Sequence, residues 1–301
     1  MAVRGSIHDS IAPRCYVTGL AVALMTTIGA AQENRLISPR ATVQRIESGF
    51  GFVEGPAADA DGNLYFTDIT NKRIYRWSPG EGLTTVREHS GGAIGLRVDL
   101  DGTLLVCEME NRRVTAIDAR GHLTVLADLY EGQRFNSPND LWVDPRGGIY
   151  FTDPRYGSTE DQEIGGYHVY HLSPDRSEVR LVADDLVRPN GIVGTPDGGR
   201  LYVADHGAGR TYVYTPREDG SLADKRLFVA QGADGMTMDE LGNVYLTGSD
   251  ITIYNPSGEP IRSIAVPEAP ANLTFGGAEG TTLFITARTS LYAIEMTVTG
   301  Q

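Results

Sequence analysis

LYFTD, at residues 64–68, is the stretch from which the fold can be worked out, because variants of it recur five more times along the 301-residue chain. Each copy is a short apolar run typical of a buried strand. The copies begin 39 to 52 residues apart, a repeat length typical of the blades of a β-propeller. The six copies are LYFTD (64–68), LLVCE (104–108), IYFTD (149–153), LYVAD (201–205), VYLTG (244–248) and LFITA (283–287).

Each repeat reads as a four-stranded meander. In the first repeat, the turn Asp59-Ala60-Asp61-Gly62 leads into LYFTD, and RIYRW (73–77) and LTTVRE (83–88) supply the third and fourth strands. Strand-forming runs separated by Gly, Asp, Asn and Pro turns are typical of consecutive hairpins. Because the other repeats follow the same order, we predict an all-β, six-bladed propeller with four-stranded blades.

The sixth repeat lacks its fourth strand. After SLYAIEM (290–296), only residues 297–301 remain, whereas ATVQRIES (41–48) precedes the first blade without a partner. Placing this N-terminal strand in the last blade would close the ring and cover an exposed sheet edge. We therefore predict a propeller domain over residues 41–301, closed by its N-terminal strand, with residues 32–40 as a linker.

The first 31 residues read as an export signal. Arg4 and Arg14 precede an apolar stretch, residues 15–31, that ends in three small residues. This order is typical of a secretory signal peptide. An uncleaved membrane anchor is the alternative, although the stretch falls short of the roughly 20 apolar residues of a spanning helix. We expect residues 1–31 to be a signal peptide and the mature protein to be periplasmic or secreted, without membrane association.

The formal net charge of −13 argues against a nucleic-acid-binding surface, which needs clustered Lys and Arg. An acidic protein can still bind a neutral small molecule or a cation. The composition leaves the oligomeric state open.

Oxygen-bearing side chains share one register of the repeat. Ten or eleven residues before the motif, five repeats carry Glu54, Asn139, Asn190, Asp234 and Asn272. Ile94 stands at this position in the remaining repeat. We call these six the ring residues, because the first strand of a propeller blade lines the central channel and should bring them together. Local turn chemistry could explain Asn190 and Asp234, each followed by Gly, but not Glu54.

The ring residues fit a hard divalent cation. Two carboxylates and three carboxamides, without His or Cys, disfavour zinc and copper. Two carboxylates facing each other in a narrow channel would repel each other without a compensating cation. Amide oxygens and irregular geometry favour Ca²⁺ over Mg²⁺, which needs a tighter octahedron. We expect one divalent cation, with Ca²⁺ favoured and Mg²⁺, Mn²⁺ or Zn²⁺ as alternatives.

One loop on the same face of the propeller is unusually long. It covers residues 153–166 and contains Tyr156. Long loops on a rigid scaffold either shape a site or are merely mobile, and the sequence leaves both readings open. His206 and Arg288 lie in other loops of this face, where they either contact a substrate or are simply solvated.

The motifs around the ring residues resemble those of the gluconolactonase/regucalcin (senescence marker protein, luciferin-regenerating-enzyme-like) family. The resemblance covers essentially the whole chain after the signal segment, and it implies a six-bladed propeller with one divalent cation in the channel. Many members hydrolyse sugar lactones. The motifs are VEGP (53–56), SPNDL (137–141), RPNG (188–191), ADGM (233–236), NL (272–273) and ITARTSLY (285–292).

The resemblance also implies roles for individual residues. Glu54, Asn190 and Asp234 match the metal ligands of the family. Asn139 matches a residue that contacts the substrate and sometimes the metal. Asp234 also matches the proposed proton donor and acceptor.

Two positions depart from the family pattern. Ile94 stands where similar members often have Asn, and Ser137 stands where the animal members have a sugar-contacting arginine. Both departures leave the identity of the substrate open.

These observations predict a metal-dependent hydrolase of a cyclic ester, with a sugar lactone as the expected small-molecule substrate. The cation would polarise the carbonyl, and Asp234 would accept a proton from water and return it to the leaving hydroxyl. Asn139 would orient the substrate, and Asp140 would brace the site from the other side of the strand. Two alternatives stay open: a phosphotriesterase or other esterase on the same metal site, and a non-catalytic binding propeller with a structural metal.

Overall fold

The computed structural model describes residues 36–301, together with Met1 and Ala2. The predicted signal peptide, apart from its first two residues, and the first part of the predicted linker lie outside the described residues. Ile37 to Gln301 form one compact unit of strands and turns. None of the described residues form a helix that could span a lipid bilayer.

The strands of this unit follow the predicted repeat closely. In chain order they are β1 Gln44–Ser48, β2 Val53–Ala58, β3 Leu64–Asp68, β4 Arg73–Ser78, β5 Gly82–Glu88, β6 Ala93–Val98, β7 Leu104–Glu108, β8 Arg113–Ile117, β9 Leu123–Ala127, β10 Leu129–Tyr130, β11 Gln133–Arg134, β12 Leu141–Val143, β13 Ile149–Asp153, β14 Tyr167–Leu172, β15 Val179–Leu186, β16 Pro189–Gly194, β17 Leu201–Asp205, β18 Arg210–Pro216, β19 Leu222–Val229, β20 Met236–Met238, β21 Val244–Thr247, β22 Ile251–Tyr254, β23 Pro260–Ile264, β24 Pro270–Gly276, β25 Thr282–Ala287 and β26 Ser290–Glu295.

Six antiparallel four-stranded sheets form the blades. β2–β5 form blade one, β6–β9 blade two, β12–β15 blade three, β16–β19 blade four and β20–β23 blade five. Blade six contains β24, β25, β26 and β1. The predicted six-bladed, all-β propeller is therefore confirmed. The short hairpin of β10 and β11, between blades two and three, is an addition that the repeat does not predict.

The N-terminal strand closes the ring, as predicted. β1 runs antiparallel to β26, with Gln44 opposite Ala293 and Ser48 opposite Ser290. It occupies the place of the fourth strand that the last repeat lacks, and it covers the backbone groups at the edge of β26.

Hydrophobic cores lie between neighbouring blades. Between blades two and three, Leu105 packs with Phe135 and Phe151, whose rings meet edge to face with centroids 5.2 Å apart. Between blades six and one, Phe66 and Phe284 share a second core. The motif is nearly continuous in apolar residues because both faces of each second strand are buried. This packing holds the first strands of the blades in fixed positions around the channel.

Candidate active site in the propeller channel

The ring residues lie at the start of the first strand of each blade. Four of them fall inside that strand, and Asn139 and Asp234 stand two residues before it. Glu54, Ile94, Asn139, Asn190 and Asn272 are buried, whereas Asp234 is half-buried. The common register read from the sequence thus corresponds to a common place in the architecture.

The acidic residue that ends the motif holds the loop leading to the ring residue. In blades one, three and four, this carboxylate accepts two hydrogen bonds from backbone N–H groups, three and two residues before the ring position. The pairs are Asp68 with Gly51 and Phe52 (2.9 and 3.2 Å), Asp153 with Asn136 and Ser137 (2.8 and 2.6 Å), and Asp205 with Val187 and Arg188 (2.9 and 2.8 Å). Charge-assisted bonds of this kind are strong and directional. The last residue of the motif therefore sets where Glu54, Asn139 and Asn190 stand.

The threonine of the motif connects neighbouring blades. Thr67 in blade one donates to the backbone carbonyl of Ile94 in blade two at 3.0 Å. Thr152 in blade three donates to the carbonyl of Asn190 in blade four at 2.8 Å. Each bond ties one blade to the ring residue of the next, so the ring positions are linked through the backbone.

Four ring side chains are in mutual contact. The Nδ2 group of Asn190 donates to Oδ1 of Asp234 at 2.6 Å. The carboxyl group of Glu54 lies close enough to Asp234 and to Asn272 for both to shift its pKa. Asn139 is buried at the equivalent position, but its side chain makes no hydrogen bond to these four within residues 36–301. The structure thus brings together Glu54, Asn190, Asp234 and Asn272, and places Asn139 beside them without a direct bond.

Burial raises the proton affinity of both carboxylates. Burial raises the pKa of Glu54 well above its usual range, and the negative charge of Asp234 raises it further. Burial also raises the pKa of Asp234, although the charge of His206 and the hydrogen bond from Asn190 partly offset the effect. A pair of buried acids in contact is electrostatically unfavourable when both are ionised. The pair therefore holds either a proton or another positive charge.

A divalent cation fits this donor set. Glu54 and Asp234 supply two negative charges, and the amides of Asn190 and Asn272 adjoin them with further oxygen atoms. Both hydrogens of the Asn190 amide are used, and its Oδ1 accepts no hydrogen bond from the described residues. No group of three or more His, Cys, Asp or Glu side chains in the described part of the chain is arranged to hold a metal. A cation here would depend on amide oxygens as well as carboxylates, which favours a hard ion.

A cavity of about 330 Å³ opens beside Asp234. Phe52, His206 and Arg288 line it together with Asp234, and the guanidinium of Arg288 lies 5.7 Å from the centre of the Phe52 ring. Cavities that take small ligands span roughly 300–1,000 Å³. His206 and Arg288, which the sequence left as either site residues or solvated ones, are therefore on the cavity wall.

Asp140 links blades three and four. Its carboxylate accepts hydrogen bonds from the backbone N–H of Leu141 at 2.9 Å and of Ile192 at 3.4 Å. Burial raises the pKa of Asp140 to about 7, although these two bonds and the charge of Arg97 partly offset the effect. Ile192 follows Asn190 by two residues, so the contact connects Asp140 to the strand that carries Asn190.

Tyr156 contacts a ring residue, which the sequence did not predict. Its phenol oxygen accepts a hydrogen bond from Nδ2 of Asn190 at 2.8 Å. The only sequence signal was the length of the loop that carries it, because nothing in the repeat predicts a contact between this loop and the ring.

Comparison with known proteins places the chain in a family. Residues 52–289 match the SMP-30/Gluconolactonase/LRE-like region. A gluconolactonase of Zymomonas mobilis subsp. mobilis is 32% identical over 280 residues, covering 81% of this chain and 78% of the relative. A solved structure of a gluconolactonase from Xanthomonas campestris is 29% identical with a TM-score of 0.79, and the match covers 87% of this chain and 94% of that one.

A more distant neighbour shares the fold. The structure of a calcium-binding protein, regucalcin, from Agrobacterium tumefaciens has a TM-score of 0.75 at 20% identity, over 87% of this chain and 96% of that one. The family match spans most of the chain, and the Zymomonas relative is similar along most of its length. This chain therefore belongs to the SMP-30/gluconolactonase/LRE-like family.

Proposed function

We propose that this protein hydrolyses a cyclic ester, a sugar lactone by preference, with the help of one divalent cation. The observation that carries the proposal is the contact between the carboxylates of Glu54 and Asp234 beside a ligand-sized cavity. The names of the Zymomonas and Xanthomonas relatives, both gluconolactonases, support the choice of reaction.

Glu54, Asn190 and Asp234 would hold the cation, with Asn139 as a further oxygen donor. Ca²⁺ is favoured because the donors are all oxygen atoms and include carboxamides, and the regucalcin neighbour is described as calcium-binding. When bound, such a cation supplies Lewis-acid chemistry, polarising the ester carbonyl and stabilising negative charge on its oxygen.

We propose Asp234 as the residue that moves protons. It is half-buried and lines the cavity, whereas Glu54 is only 3% exposed. Asp234 would accept a proton as water forms a bond to the carbonyl carbon. It would return that proton to the ring oxygen as the carbon–oxygen bond of the lactone breaks. The hydrogen bond from Asn190 holds Oδ1 of Asp234, which leaves its other oxygen for the proton.

The cavity wall suits a hydroxyl-rich substrate that becomes an acid. Hydrolysis of a lactone produces a carboxylate, and the guanidinium of Arg288 provides a positive charge on the wall. His206 adds ring nitrogens that can bond to sugar hydroxyls, and Asn139 would orient the substrate from the channel side.

The test combines elemental analysis of the purified protein with assays on a panel of lactones and organophosphates, with and without chelator. We expect one equivalent of divalent cation, chelator-sensitive hydrolysis of at least one sugar lactone, and a folded but inactive Asp234→Asn variant. Asp219→Asn, at an exposed turn, is the matched control and should keep wild-type activity. Preferred hydrolysis of organophosphates would replace lactones as the substrate class, and cation binding without any turnover would favour a binding propeller.

We also propose that the protein is exported. The supporting observation is the basic, apolar and small-residue order of residues 1–31. N-terminal sequencing of the protein recovered outside the cytoplasm should begin near residue 32, and an intact N-terminus would favour the anchor instead.

A further inference from the structure

We infer that Tyr156 is a positioning residue for the cation site, because its hydroxyl sets the orientation of the Asn190 amide. The inference rests on the proposed function, since it concerns how that site binds its cation. It goes beyond the ring residues, because Tyr156 belongs to the long loop over residues 153–166 and not to the repeat.

The Asn190 amide is held by both of its hydrogens. Nδ2 donates to Tyr156 at 2.8 Å and to Asp234 at 2.6 Å, and Oδ1 accepts no hydrogen bond from the described residues. A carboxamide that rotates by half a turn exchanges its donor and its acceptor. With the hydroxyl of Tyr156 as acceptor, the orientation that leaves Oδ1 for the cation is preferred.

Tyr156 is itself held from two sides. The guanidinium of Arg188 lies over its ring, 5.1 Å from the centroid. Its hydroxyl lies 3.3 Å from Nδ1 of His206, and in the imidazole form without a proton on Nδ1 it donates there while accepting from Asn190. The ring is therefore fixed by stacking, and the hydroxyl has one donor and one acceptor as neighbours.

The long loop is anchored to blade two through a buried arginine. Arg112 is 3% exposed and donates to the backbone carbonyls of Phe135 at 2.5 Å and Asp161 at 2.9 Å. Its guanidinium also pairs with the carboxylates of Asp161 and Glu163 at 3.3 and 3.5 Å. Arg155, next to Tyr156, donates to the carbonyl of Asn136 at 3.0 Å. These bonds favour a loop that shapes the site over one that is merely mobile.

The experiment compares Tyr156→Phe with Tyr167→Phe. Both rings lie under Arg188, at 5.1 and 5.6 Å, but only the Tyr156 hydroxyl bonds to Asn190. Protein stripped with chelator is titrated calorimetrically with Ca²⁺ alone. We expect Tyr156→Phe to weaken Ca²⁺ binding about 5- to 10-fold, as for one lost hydrogen bond, and Tyr167→Phe to stay within about 2-fold of wild type. Excess Ca²⁺ should restore turnover in Tyr156→Phe, because the hydroxyl takes no part in bond breaking.

Three results would overturn the inference. Unchanged Ca²⁺ affinity in Tyr156→Phe would show that the hydroxyl does not position Asn190. An equal loss in Tyr167→Phe would assign the effect to the stack on Arg188, and a wild-type lactonase that binds no Ca²⁺ would remove the site on which the inference depends. If wild type and Tyr167→Phe bind Ca²⁺ more tightly than Tyr156→Phe but wild type hydrolyses no lactone, the inference stands and the proposed function fails.

Discussion

Replacing Asp205 by Asn should weaken cation binding, although Asp205 is not itself a ligand. Its carboxylate, 1% exposed, accepts the backbone N–H groups of Val187 and Arg188 at 2.9 and 2.8 Å. These are the residues that lead directly to Asn190. The substitution keeps the shape of the side chain, but it turns one acceptor oxygen into an NH₂ group that faces an N–H donor.

The structure sets the size of the effect. Losing one charge-assisted hydrogen bond and weakening the other destabilises the protein by about 2 kcal/mol, which lowers the Tm by about 4–8 °C for a domain of this size. If about half of that free energy stabilises the position in which Asn190 binds the cation, Ca²⁺ affinity falls about 5-fold. Calorimetry on cation-free and Ca²⁺-loaded protein measures both quantities.

Asp153→Asn is the matched control. Asp153 holds Asn136 and Ser137 in the same way, but its loop leads to Asn139, the expected substrate contact. We expect this variant to raise KM and to weaken Ca²⁺ binding less than Asp205→Asn does, because Asn139 is proposed as a substrate contact and only as a further oxygen donor to the cation. Its Tm should fall less than that of Asp205→Asn, because burial raises the pKa of Asp153 to about 7 and the wild-type carboxyl is already partly protonated at neutral pH. Equal losses of Ca²⁺ affinity in the two variants would refute the argument that each acid positions the ring residue of its own blade.

Three further predictions concern charge and closure. Burial raises the pKa of Glu54, so its contribution to stability is complete below the usual pKa of about 4.3 and is lost as pH rises through the folded-state value. Glu54→Gln should reduce this loss, which is measured as the free energy of unfolding of the cation-free protein between pH 5 and 8. An unchanged pH dependence would contradict the prediction. The charge of Arg288 lowers the pKa of Asp234, so Arg288→Gln should move the acidic limb of the kcat/KM profile to higher pH. Arg288→Lys keeps the positive charge and should not move it. Coincident pH profiles of wild type and Arg288→Gln would exclude the coupling between Arg288 and Asp234. Deleting residues 1–48, compared with deleting 1–36, should lower the Tm by more than 10 °C, because the edge of β26 loses its partner; equal melting of the two truncated proteins would show that β1 adds no stability.

Much of the fold follows from the sequence because the propeller is built from local pieces. Each blade is a run of hairpins whose strands and turns are consecutive in the chain, so a repeat such as LYFTD predicts them one after another. Ring closure also follows, since a missing strand at one end matched a spare strand at the other. The hairpin of β10 and β11 did not follow, because it belongs to a connection outside the repeat.

The candidate site was only partly accessible from the sequence. Register places the backbone of every ring residue, so the convergence of Glu54, Asn190 and Asp234 could be expected. Register does not set side-chain rotamers, so it could not tell that Asn139 stands apart from the hydrogen bonds of the others. The contact from Tyr156 to Asn190 joins a loop to a blade 34 residues further along the chain, and no periodic pattern records such a contact.

The pairing of β1 with β26 also has a consequence for how the protein is made. It joins residues about 240 positions apart, and contacts of such long sequence separation form late and slowly during folding. A chain emerging from the ribosome produces β1 first and must wait for the final repeat before the ring can shut. Until then, β1 has no partner strand, and β26 presents an open strand edge from the time it forms until β1 pairs with it, which makes this interval the period of greatest exposure to aggregation.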